Sequence, residues 1–245
     1  MAVTCGSASL GNGLDSAADL FEKYKEKPSF VKETSTLLKH KSFMMLCLIY
    51  TWSSGAFVGW TSLFDEILSG DAGYSETFIG HLSFGSTIAY ILGGLISSYL
   101  VDKHWSRRMK SLLLYCCMVS LLTSAVFSLS VPSFIDVNRH GLMGDTFGFR
   151  RRWLLFVGVI SGFPNGAAAP IFYEFAAQIT FPVSEGASAS ALSLYENFGA
   201  LILYEVIASY FSHSAVNAVF TGGMALCCVL MVFVKEEYLK GDAEE

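Results

Sequence analysis

Six runs of about twenty apolar residues, separated by short charged stretches, decide what this chain can fold into. Lipid hydrocarbon offers the backbone no hydrogen-bond partner, so a crossing segment must satisfy its own N–H and C=O groups, which a helix does. At about 1.5 Å of rise per residue, roughly 20 residues cover the hydrocarbon layer. The runs lie at 43–64, 77–101, 111–131, 153–173, 187–211 and 215–234. They explain why 53% of the residues are hydrophobic and only 15% charged, against about 25% charged in a soluble domain. The mean hydropathy is +0.48. The chain therefore reads as an all-α membrane protein, with a six-helix domain over 41–235 between an N-terminal arm, 1–40, and a short tail, 236–245.

Charge sets the expected topology. With six spans, twelve of the sixteen Lys and Arg residues fall on one side and four on the other, so the positive-inside rule puts both termini in the cytoplasm. The membrane itself, plasma or organelle, is left open. Arg150, Arg151 and Arg152 abut the fourth span on the side this topology makes non-cytoplasmic. The net charge of -5 is scattered between the runs, without the basic patch that nucleic-acid binding needs. The polar, mixed-charge start MAVTCGSASLGNGLDSAADLFEKYKEK lacks the basic-then-apolar pattern of a cleaved signal, so the first span is expected to act as the insertion signal. Within the N-terminal arm, DLFEKYKEK has the composition of a short amphipathic helix that Pro28 would end. Five of the six cysteines lie inside apolar runs, where they read as small packing residues; no metal-ligand spacing and no disulfide framework is present. No cofactor or metal is expected.

The polar residues inside the runs are the candidates for function. In the fourth run Gly158, Gly162 and Gly166 recur every four residues, a small stripe against which a neighbouring helix can pack. Pro164 and Pro170 remove backbone donors and are expected to bend or break that helix. Glu174 and Gln178 follow one turn apart on the same face. Glu174 has two readings: a proton or cation carrier facing a central cavity, or a carboxylate near the headgroups bonded to a helix end. In the fifth run Glu196 and Glu205 must face protein or water, since a charge at mid-membrane costs about 2.5 to 3.5 kcal/mol on insertion scales. Glu196 and Asn197 point about 100° apart, so only one can face a cavity squarely. Asn197 and Tyr204, seven apart, form a stripe that lines a pathway or a helix contact. Asp65 and Glu66 close the first run, which holds Trp60 near its end, and with Asp71 they leave the following loop acidic. Between the second and third runs, Asp102, Lys103, Arg107 and Arg108 form an acid and base cluster suited to holding one conformation of a moving bundle. An intramembrane serine protease is disfavoured: Ser161 lacks a nucleophile setting and His213 has no serine partner, so the chain is not read as an enzyme.

Taken together, LLKHKSFMMLCLIY, LVDKHWSRR and FYEFAAQITFPVSEGASASALSL resemble the carboxy-terminal six-helix half of the major facilitator superfamily. More narrowly they resemble the feline leukaemia virus subgroup C receptor-related family, whose members are linked to heme and to choline or ethanolamine transport. The resemblance covers about residues 35–235 and is most specific from Glu174 through Thr180, Pro182, Glu185 and Gly186. It departs at Gln178, where that family has a second acid, and at Ser98, where the signature loop opens with Gly. Val58 matches the position of an aromatic in choline-transporting members, with Trp60 close by to offer a ring to a cation, and Asn197 matches a glutamine. The resemblance implies transport of a small organic solute, heme or choline-like, along Trp60, Asp65, Glu174, Gln178, Asn197 and Tyr204, with Asp102, Lys103, Arg107 and Arg108 as the gating loop. A complete transporter of this class has two such halves with the solute between them, and the N-terminal arm resembles the linker that joins them. Three readings stay open: a fragment lacking its N-terminal half, a half-transporter completed by a second copy, and a membrane partner or regulator that does not transport.

Overall fold

The computed structural model describes residues 30–69, 74–101, 103, 108–131, 147–210 and 212–235. Asp71, Asp102, Arg107 and Arg139, the arm before residue 30 and the tail after 235 lie outside the described residues. Among those described, all regular structure is helical. The helices are α1 (Phe30–Lys39), α2 (Lys41–Ser62), α3 (Phe64–Ser69), α4 (Glu76–Leu100), α5 (Met109–Ser130), α6 (Phe147–Thr180), α7 (Glu185–Leu201, continuing through Ile202–Ile207 and Ala208–Tyr210) and α8 (His213–Phe233).

Five of these, α2, α4, α5, α6 and α8, contain stretches long and apolar enough to cross a membrane. The fifth expected span, α7, keeps regular α-geometry for 17 residues and then widens into a π-helical segment, Ile202–Ile207. Its helical path nevertheless runs unbroken from 185 to 210 alongside α2. A second π-helical segment, Thr51–Ala56, interrupts α2 at its middle.

Glycine decides which helices touch. A Cβ added at Gly158 would lie 2.5 Å from Leu82 Cδ1, one at Gly162 2.1 Å from the Ser86 carbonyl oxygen, and one at Gly166 1.9 Å from that of Tyr90. Both sets of numbers rise together, so α4 and α6 run parallel, backbone against backbone, along the glycine stripe. Gly55 and Gly59 of α2 meet Glu196, Gly199 and Ala200 of α7 in the same way, again parallel. By contrast α5 and α8 are antiparallel: Ser128 Oγ meets Thr221 Oγ1 at 3.1 Å, and Lys110 Nζ donates to the Val232 carbonyl at 3.0 Å. These pairings bring the starts of α2, α5 and α7 and the end of α8 to one end of the bundle. There α1 is held by Glu33, which accepts from Ser184 Oγ at 2.6 Å at the head of α7.

The expected break in the fourth span is not found: α6 is one helix of 34 residues through Pro164 and Pro170. Side-chain donors sit at the turn where Pro164 removes an N–H, Ser161 Oγ bonding the Gly158 carbonyl at 2.7 Å and Asn165 Nδ2 that of Ser161 at 2.8 Å. Packing by α4 and α5 on either side holds the helix together.

Two apolar clusters stack along the bundle. One gathers Leu37, Phe43, Tyr50, Phe172 and Met231 at the end that α1 covers. The other gathers Trp60, Phe64, Phe127, Phe220 and Met224 toward the opposite end. Ser53 and Ser54 of α2 fall between them, so the bundle has a polar layer at mid-depth.

Candidate functional site

The polar layer is built where the two glycine-locked pairs meet. Ser54 lies in the π-helical segment of α2, a distortion that recurs at functional positions because it re-aims side chains. Its Oγ donates to Glu196 Oε1 of α7 at 2.5 Å and makes a longer contact, 3.4 Å, with the Tyr90 hydroxyl of α4. On α6, Tyr173 shares a 2.9 Å hydrogen bond with Ser193 Oγ, one turn before Glu196. Its ring stands edge-on to that of Tyr50, 5.7 Å between centroids. Hydroxyls of α2, α4, α6 and α7 thus gather in one layer, where Ser54 donates to the Glu196 carboxylate.

A separate, open cleft of about 450 Å³ runs between α2 and α7 on the adjoining face, lined by Val58, Ser62, Asn197, Leu201 and Tyr204. Val58 is 43% exposed and Tyr204 44%. Asn197 Nδ2 donates to the Ser193 carbonyl at 2.7 Å, which turns Oδ1 outward as an acceptor. Val58 and Asn197, matched by resemblance to an aromatic and a glutamine of choline-transporting proteins, therefore line the same cleft, with the Tyr204 ring beside them.

Glu174 and Gln178 form a third location. Gln178 Nε2 donates to Glu174 Oε1 at 3.0 Å, and Glu174 opens into a polar cavity of about 190 Å³ shared with Ser98, Val101 and Pro170, at the end of α4. Beyond that end, Lys103 Nζ reaches the Tyr99 hydroxyl at 3.3 Å, and Arg108 is exposed at the head of α5.

Trp60 and Asp65 stand apart from these places. Trp60 is fully buried: its Nε1 donates to Asn217 Oδ1 at 2.7 Å, Phe220 stacks on it at 4.7 Å, and Phe64 and Phe127 stand edge-on. Its ring faces are occupied by protein in this conformation. Asp65 is exposed on α3. Arg151 places its guanidinium 5.0 Å from the centroid of the Phe78 ring, tying the head of α6 to that of α4.

Sequence reasoning did not single out Ser54, Tyr50, Tyr90, Tyr173 or Ser193. The one signal that leads to them is Glu196: a carboxylate inside a span demands donors, and mid-span hydroxyls on other helices are where donors come from.

Among the described residues the helical bundle, with its parallel pairs α2 with α7 and α4 with α6, has the fold of about half of a major facilitator superfamily transporter. The chain superposes on the proton:xylose symporter XylE with a TM-score of 0.58 at 15% identity, covering 84% of this chain and 46% of that one. The partially occluded, inward-open xylose transporter XylE from E. coli gives 0.57, over 86% of this chain and 52% of that one. Among curated proteins, the chain is similar to the choline/ethanolamine transporter FLVCR2 of Rattus norvegicus, 24% identical over 68% of this chain and 27% of the relative. It is also similar to the choline/ethanolamine transporter flvcr2a of Danio rerio, 22% identical over 87% of this chain and 42% of the relative. An uncharacterized MFS-type transporter of Caenorhabditis elegans is 24% identical over 82% of this chain and 32% of its own length. The chain thus spans less than half the length of these relatives. No protein-family model matches it.

Proposed function

We propose that this chain is one six-helix half of a secondary transporter for a small organic solute of the choline or ethanolamine kind. The observation that carries the reading is the meeting of Val58 and Asn197 in one cleft, together with the choline/ethanolamine names of the relatives. In the cleft Asn197 Oδ1 accepts from a solute hydroxyl or ammonium, and the Tyr204 ring offers the π-face that Val58 lacks. The solute path closes when a second six-helix half covers this face, either one encoded in frame before this chain or a second copy of it. Glu174, Gln178, Lys103 and Arg108, with Asp102 and Arg107, act at the end of α4 as a gate, making and breaking contacts as the bundle rocks. Both termini lie in the cytoplasm, following the excess of Lys and Arg at that end.

The test is uptake of radiolabelled choline and ethanolamine by cells producing the chain together with the half encoded upstream of it, or the chain alone if no such half is encoded. Saturable uptake is expected, falling about tenfold in Asn197→Ala and in Tyr204→Ala, the scale of one lost hydrogen bond or cation–π contact. Correctly inserted protein that takes up neither solute overturns the proposal and favours a non-transporting partner.

A further inference from the structure

α4 is the least enclosed of the five apolar helices, and where α5 and α6 flank its last two turns they leave an open groove of about 140 Å³. Ile96 and Leu100 of α4, Leu112 and Tyr115 of α5, and Phe163 and Ala167 of α6 line it. The surface it offers is apolar, because its one serine, Ser97, turns its hydroxyl to the Gly94 carbonyl at 3.1 Å. Ile96, Leu100, Tyr115 and Phe163 are exposed, so in a bundle of membrane-crossing helices the groove opens to lipid. A polar pair stands at one end. Lys103 Nζ reaches the Tyr99 hydroxyl at 3.3 Å and lies 5.6 Å from the centroid of that ring. Tyr99 follows Ile96 by three residues and so stands one turn beyond it on the same face. An apolar groove with one polar contact at its mouth fits an amphiphile whose head is small.

We propose that this groove binds a membrane sterol, its ring system lying between α4, α5 and α6 and its hydroxyl meeting the Lys103–Tyr99 pair. Two features favour a sterol over an acyl chain. The walls carry two flat rings, Tyr115 on α5 and Phe163 on α6. A fused-ring body packs on such faces without losing rotamer freedom, whereas an acyl chain must be frozen bond by bond. The sequence on both sides of the groove also follows the apolar, tyrosine, basic order associated with sterol contact: Leu95, Tyr99 and Lys103 on α4 and, reversed, Lys110, Tyr115 and Val119 on α5. Either pattern alone is weak. Here α5 runs back alongside α4, so the reversal sets both basic residues at the same end, with the groove between them. Lys110 is engaged by the Val232 carbonyl, which leaves Lys103 for the head. From Gly93, at the inner end of the groove, to Lys103 is ten residues, about 15 Å and half the hydrocarbon thickness, so the ligand lies within one leaflet. The sterol oxygen accepts from Lys103 Nζ and its O–H donates to the Tyr99 oxygen. The site does not depend on what the chain transports.

Photolabelling of the purified 245-residue chain in lipid nanodiscs, with a diazirine-bearing cholesterol analogue and mass spectrometry of the digested protein, tests the site. Label is expected at 93–100, 112–116 and 163–167, and excess unlabelled cholesterol should remove it. Tyr115→Ala and Lys103→Leu should each lower the labelling about three- to tenfold, the scale of one lost ring contact or hydrogen bond. Ile96→Trp, which fills the groove from its lipid-facing wall, should do the same by exclusion. Leu122→Ala, on the exposed face of α5 beyond the groove, should change nothing. Thermal melting in sterol-free nanodiscs checks that each variant is folded; added cholesterol should raise the melting point of the unsubstituted chain and of Leu122→Ala but not of Tyr115→Ala. Label that excess cholesterol leaves in place, or that falls on Phe84, Leu122 and Leu226 as heavily as on the groove, overturns the proposal. So does a photoreactive phosphatidylcholine that labels the same residues and is displaced by phosphatidylcholine as readily as by cholesterol, since the groove then holds acyl chains.

Discussion

Gly166 and Tyr90 show how little room single residues have in this bundle. An added methyl at 166 would sit 1.9 Å from a backbone oxygen, which cannot rotate away, whereas a Cβ at Gly80 meets nothing within 4 Å. Gly166→Ala is therefore expected to destabilise the chain by about 1–3 kcal/mol, as overpacking of a tight core does. Gly80→Ala, on the exposed face of a helix, is expected to leave stability unchanged or raise it slightly. Thermal unfolding of both variants in detergent checks this, and equal melting points would refute the backbone contact. The glycine stripe at 158, 162 and 166 was legible because its spacing equals a helical turn, and it does pack as expected. Ser54 was not legible, since a serine inside an apolar run carries no periodic signal and its partner, Glu196, is 142 residues away. Asn197 and Val58 could be paired only through resemblance, because nothing in either run says that α7 lies against α2. Trp60 was singled out for its ring, but its packing against Phe220 and Phe127 in the core could not be read from the run it lies in.

The elements divide by what ends them. Charge at the flanks marked most starts and finishes of the apolar runs, the end at 131 and the turn at 212–214 excepted, and most helix limits fall within a few residues of those expected. The prolines of α6 do not break it, since each removes only one backbone N–H from a helix packed closely against α4. The π-helical segments in α2 and α7 had no sequence mark at all. The short helix α1 meets the head of α7 through Glu33, which accepts from Ser184 Oγ at 2.6 Å and from Ser184 N at 3.4 Å on an exposed surface. Glu33→Ala is expected to free α1 without disturbing the spans. Trypsin should then cleave at Lys32 and Lys39 about three to ten times faster than in the unsubstituted chain, reporting a rise in local opening. An unchanged cleavage rate would mean that Leu37, buried in the core beneath α1, holds the helix by itself.

Among the five described helices apolar enough to cross a membrane, α2 and α6 are the most enclosed, and α4, 22% buried in its most apolar stretch, is the least. In their most apolar stretches 61% of residues are buried for α2 and α6, against 33% for α5 and α8. A photoactivated carbene reagent dissolved in the bilayer should accordingly label α5 and α8 at least twofold more than α2 and α6, read by mass spectrometry of the digested protein. Equal labelling would contradict this arrangement. The glycine-locked pairs are also nested along the chain, with α4 and α6 inside and α2 and α7 outside. A ribosome feeding helices into the membrane in order delivers both members of the inner pair before the second member of the outer one. α2 consequently enters the lipid with its Ser54 hydroxyl lacking the Glu196 carboxylate until α7 follows, 142 residues later in the chain. A nascent chain arrested just before α7 is therefore expected to expose the face of α2 that α7 later covers, at Gly55 and Gly59.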